Sequence, residues 1–211
     1  MTSAMTLDAR HDRTHLPHVL RAGAILGALQ TVLIAVFAFL QPRLAGPLEL
    51  VVLGLVLVVG VAATIVLPGR WTEARTVEGI SGAAGIGLTA TVVFLVLDSI
   101  AQIILPSGLF TNRWLALGGG SNWWYHPVWW MVGTYLAWLG AWIQANQAAK
   151  SGEASPVVLV VGTLLIAAVV MAVATALGFP GARFGLGTFG VAVLPALAVM
   201  TGLSLIGVPR R

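Results

Sequence analysis

Six long apolar stretches, separated by short polar ones, run through the 211 residues of this chain. They predict membrane spans at about Ala22–Leu40, Leu50–Leu67, Ile80–Leu105, Val128–Ala148, Pro156–Leu177 and Phe184–Val208. Each approaches the ~20 apolar residues that a helix needs to cross a bilayer core. Helix is the only economical form for such runs, because unpaired backbone groups are too costly in lipid. A transmembrane barrel would instead show short segments of strictly alternating hydrophobicity. The fold class is therefore all-α: a polytopic transmembrane bundle of about six spans covering 19–211. A polar tail, 1–18, precedes it.

Proline punctuates this pattern. Pro47, Pro68, Pro106, Pro127, Pro156 and Pro180 fall near the expected span ends, where a residue without an N–H does least harm. Pro195 lies inside the sixth span and predicts a kink. The first 21 residues are too polar for a cleavable signal peptide, and the first apolar run is long enough to span.

Composition strengthens the membrane reading. Hydrophobic residues make up 58% of the chain and charged residues 9%, against about 25% charged in ordinary soluble domains. There is no cysteine, which excludes disulfides, thiolate nucleophiles and cysteine-held clusters. The arginines are scattered rather than gathered on one basic face, so a nucleic acid is not an expected partner. Their distribution bears on orientation instead. Arg10, Arg13, Arg21, Arg70, Arg75, Lys150, Arg210 and Arg211 fall on one side of a six-span arrangement, and Arg43, Arg113 and Arg183 on the other. Basic residues are retained on the cytoplasmic side. The expectation is a multi-pass protein of the cell membrane with both termini cytoplasmic and an outer loop over 106–122. The segments Val66-Leu67-Pro68-Gly69-Arg70 and Gly178-Phe179-Pro180-Gly181-Ala182-Arg183 end the second and fifth spans alike. Inverted halves of three spans, a transporter pattern, would give such a likeness, and so would two common Pro-Gly helix stops.

The fourth span is chemically unlike the rest. Six of the eight tryptophans lie between Trp123 and Trp142. At 3.6 residues per turn, Trp124, Met131, Tyr135, Trp138 and Trp142 share one stripe. Trp123, His126 and Trp130 share another, continued by the small residues Gly133, Thr134, Ala137 and Ala141. The outer tryptophans suit an interfacial belt, where indole keeps its N–H wet and its ring in the apolar layer. Trp138 and Trp142 lie about 12–18 Å deeper than Trp130. They either pack on a neighbouring helix or line a surface for a flat apolar ligand. Small residues on the other face allow close helix approach.

Asp98 is the one carboxylate well inside a span. Charge at that depth is costly and turns to the protein interior, a partner or water. Thr91, Asp98 and Gln102 share a helix face, with Asp98 about 10 Å from the end near Leu105. His126 opens the fourth span on the same side. Asp98, Gln102 and His126 are expected to converge under the 106–122 loop with its Arg113 or Asn122, and together with Trp123, Trp130, Trp138 and Trp142 they form the candidate ligand-binding set. Too few ligands are present there for a zinc or copper site. His11, His15 and His18 would share a helix face in the tail, but Pro17 disfavours helix at Leu16. Gly118-Gly119-Gly120 lacks the Lys-Ser/Thr ending of a phosphate loop. No zinc-protease, cysteine-nucleophile or serine-elbow pattern occurs, and no cofactor is specified. Three functions follow in descending order. The first is a non-enzymatic subunit or accessory protein that binds partner subunits, lipid or a quinone- or carotenoid-like molecule. The second is a small transporter using Asp98. The third is a membrane enzyme acting at Asp98 and His126.

Overall fold

The computed structural model describes residues 13–104 and 125–208, apart from the side chains of 102–104 and 125–127. Six long helices form: α1 (Leu16–Leu40), α2 (Gly46–Trp71), α3 (Val77–Ile104), α4 (Tyr125–Ser151), α5 (Pro156–Ala176) and α6 (Leu186–Leu205). A single 3-10 turn, Gln41–Arg43, follows α1, and no strand occurs among the described residues. Five of the helices, all but α4, are long and apolar enough to cross a membrane. The protein is a multi-pass membrane helical bundle.

Helix α4 is the exception for a physical reason. At 27 residues it is about 40 Å long, so length is not what sets it apart. It is less apolar because it sits at the centre, packed against α3, α2, α6 and α5. Gln144 and Asn146 are buried on it, and each donates to a neighbouring helix. Polar groups are tolerated at such depth when the protein satisfies them.

Two helix ends differ from the sequence expectation. Helix α1 starts at Leu16, with Pro17 in its first turn, where a missing N–H has no bond to lose. Helix α2 does not stop at Pro68 but runs through it to Trp71. Pro68 has no N–H to offer the Thr64 carbonyl four residues earlier. Here the Gln144 amide of α4 lies 3.2 Å from both the Ile65 and Val66 carbonyl oxygens and donates to them. The Thr72 hydroxyl donates to the Pro68 carbonyl at 3.0 Å. Gln144 thus ties α4 to α2 within the turn that precedes the proline.

Glycines set the closest approaches. A Cβ on Gly27 of α1 would collide with the Ala90 carbonyl of α3, and one on Gly140 of α4 with the Ile65 carbonyl of α2. Between α3 and α4, a Cβ on Gly87 would lie 2.6 Å from the Ala137 Cβ, and one on Gly133 would strike the Thr91 hydroxyl. Backbones this close gain dispersion contacts that lipid would not supply. Ile65, Val66, Leu139, Ile143, Leu159 and Leu197 then close a core contributed by α2, α4, α5 and α6.

The two Pro-Gly segments have different structures. Pro68 and Gly69 are buried inside α2. Gly178 and Gly181 are left-handed (φ 65 and φ 78) in the exposed turn after α5, where the Phe179 N–H bonds back to Ala174. Helix α1 packs mainly on α3, whereas α5 packs mainly on α6. The likeness of the two segments lies in the letters and not in the packing.

Candidate functional site

The small and aromatic faces of α4 part company as its sequence predicts. Gly133, Ala137 and Ala141 turn towards α3, with Gly87 and Thr91 opposite Gly133 and Ala141 in a cluster with Ile80 and Ala83. Gly140 and Gln144 face α2. Tyr135 and Asn146 face α6: the Tyr135 hydroxyl donates to the Leu194 carbonyl at 3.0 Å, and the Asn146 amide to the Ser204 hydroxyl at 2.8 Å. At 100° per residue, this leaves one strip of α4 uncovered, between the α3-facing and α6-facing sides. Met131 (70% exposed) and Trp138 (43% exposed) lie on it.

The aromatic stripe is therefore divided by its neighbours. Trp142 turns inward and packs against both the central core and the Ala74–Ile80–Ala83–Ala141 cluster. Tyr135 is anchored to α6. Trp138 stays at the surface, although the flanking positions 137, 139, 140 and 141 are all buried. It is the middle residue of α4, about 20 Å from either helix end. That is too deep for the interfacial belt that tryptophan usually occupies. Trp130, nearer the helix start, is 40% exposed.

Asp98 is buried, at 6% exposure, on α3. Thr91, one heptad earlier, faces Gly133 of α4 and donates its hydroxyl to the Gly87 carbonyl at 2.9 Å. The helical period therefore turns Asp98 towards α4 as well. The α3–α4 backbone register pairs Gly87 and Thr91 with Gly133. Arg113, Asn122 and Trp123 lie outside the described residues, and so do the side chains of Gln102 and His126. Of the expected set, Asp98 belongs to the α3–α4 seam, Trp130 and Trp138 to the surface, and Trp142 to the core.

In the sequence Gln144 reads, beside Gly140, only as a position of close helix approach, and the structure makes it a donor to carbonyls of α2. Its amide is also 3.2 Å from the Gly140 carbonyl, so it has three carbonyls within reach. The available signal was a glutamine sharing a face with Gly140 across from a span that contains Pro68. A second polar link went unread too: Gln30 of α1 donates to the Gly60 carbonyl and the Thr64 hydroxyl of α2, at 2.9 and 2.8 Å. Among the described residues no three His, Asp or Glu side chains gather as a metal site. No protein-family model matches the chain, and no curated protein or solved structure is similar to it.

Proposed function

We propose that this is a non-enzymatic accessory protein of the cell membrane, with both termini cytoplasmic, that binds an apolar partner along the uncovered strip of α4. The single observation that carries this reading is Trp138, 43% exposed at the middle of a helix whose adjoining positions are buried. A large flat ring held at that depth by a tightly packed helix offers stacking area at little entropic cost. The partner is either a flat apolar molecule of quinone or polyene type or a helix of another subunit. Orientation rests on the eight-to-three bias of basic residues.

The test is purification in mild detergent, followed by mass and absorbance measurement of what remains bound. Wild type is expected to retain a stoichiometric chain or chromophore, and Trp138→Leu to lose it while staying folded. Trp142→Leu serves as the contrast: it empties space in the core and lowers heat stability. A wild-type protein that carries nothing, or a Trp138→Leu variant that carries as much as wild type, refutes the reading.

A second reading, a small transporter, is favoured by one observation. Asp98 is buried on the face of α3 that turns towards α4, and an ionisable group within a span marks a solute or proton path by default.

A further inference from the structure

The described basic residues are unevenly placed. At the bundle end that carries the start of α1 and the α2–α3 and α4–α5 turns, the first three helices bring Arg13, Arg21, Arg70 and Arg75 against Glu73 and Glu78, four against two. The last three helices bring Lys150 against Glu153, one against one. Among the described residues, the surplus positive charge of this end therefore sits on a single corner.

That corner is held in shape. The α2–α3 turn is closed by the Thr72 N–H on the Pro68 carbonyl at 3.1 Å and the Ala74 N–H on the Gly69 carbonyl at 2.9 Å. Thr72 and Ala74 are buried, and Glu73 between them is left-handed at φ 48, a conformation uncommon outside glycine. The start of α1 is fastened onto the same turn. Arg13 pairs with Glu73, and a His18 ring nitrogen lies 3.2 Å from the Trp71 carbonyl. Glu73, the acidic residue of the turn itself, is thus occupied. Arg21, Arg70 and Arg75 remain exposed, and none of them has an ion pair or side-chain hydrogen bond among the described residues.

We infer that this corner binds anionic phospholipid headgroups, with Arg21, Arg70 and Arg75 as the basic groups that meet them. Charge complementarity selects the ligand. A guanidinium presents several N–H donors in a plane that matches a phosphate. The fixed turn sets the backbone positions of Arg70 and Arg75. The arginines lie at the ends of apolar helices, at the depth where headgroups of the surrounding bilayer reside, and anionic lipids gather at such juxtamembrane basic groups. The inference stands apart from the proposed role of Trp138, which lies on another part of the surface.

The experiment uses the full chain in mild detergent and native mass spectrometry. Phosphatidylglycerol and phosphatidylcholine with identical acyl chains are offered in turn, with and without excess inorganic phosphate. Wild type is expected to retain phosphatidylglycerol preferentially, and phosphate is expected not to displace it. The triple variant Arg21→Gln, Arg70→Gln, Arg75→Gln should lower that retention by roughly tenfold or more. Arg183→Gln, at the opposite end of the bundle, should leave it unchanged. Replacing the same three arginines with lysine keeps the charge and should restore most of the retention, which separates lost binding from lost folding. Equal retention of the two lipids, equal retention by the triple glutamine variant, or displacement by inorganic phosphate would each overturn the inference.

Discussion

At the scale of single residues, two buried polar side chains have different duties. Gln144 links helices: its amide reaches the Ile65 and Val66 carbonyls of α2. Gln144→Leu keeps comparable volume but removes the donor, and the exposed carbonyls have no water to turn to. Loss of about 1–2 kcal/mol is expected, read as a lower apparent Tm in detergent. An unchanged Tm would mean that the Gln144 amide adds nothing to the α2–α4 contact. Asp98 is the other case. A buried carboxylate is costly to keep ionised, so its retention calls for a reason beyond packing. Asp98→Asn preserves shape and removes titration. If Asp98 serves transport, this variant inserts and folds as wild type but loses pH-dependent solute movement in vesicles, and Asp98→Leu is equally inactive and at least as heat-stable. Full activity of Asp98→Asn, with collapse of Asp98→Leu, would make Asp98 a structural hydrogen-bonding group.

At the scale of helices, glycine decides which elements meet. Gly133 and Gly140 lie on adjoining faces of α4, and a side chain at either would enter backbone or side-chain atoms of α3 or α2. Gly133→Val and Gly140→Val should each cost at least about 1–3 kcal/mol from overpacking, measured by thermal denaturation and by the yield of monodisperse protein. Gly202 of α6 has open space where a Cβ would go. Gly202→Ala should be neutral or raise stability by up to about 1 kcal/mol, since alanine is the better helix former. A uniform response of all three glycines would show that close approach is not what α4 depends on.

At the scale of the whole molecule, α4 is a central post with α3, α2 and α6 around it and one strip left open. The tight start of α1 against the α2–α3 turn, through Arg13–Glu73 and His18, places the described basic corner beside the first helix. If the positive bias sets orientation, a reporter fused after Arg211 should be active in its cytoplasmic form only, and a reporter within 106–122 in its external form only. The reverse pattern would invert the bundle and remove the reading of the termini as cytoplasmic.

The sequence by itself determined the helix number, the approximate limits of each helix and the membrane class. Those properties follow from the length of apolar runs, which a bilayer measures directly, and from small residues at helical spacing on α4. Asp98 was legible as buried for the same reason: a lone carboxylate in an apolar run on the Thr91 face has few other places to go. Only the tertiary structure decided the rest. The stripe of Met131, Tyr135, Trp138 and Trp142 reads as one face, yet α6 takes Tyr135, the core takes Trp142, and Met131 and Trp138 are left at the surface. Periodicity specifies which residues share a side of a helix, but it carries no information on which neighbour covers that side or how far the cover extends. The continuation of α2 through Pro68 was hidden for the same reason. A proline's effect on a helix depends on the packing around it, and here α4 packs against that stretch of α2, with Gln144 donating to Ile65 and Val66.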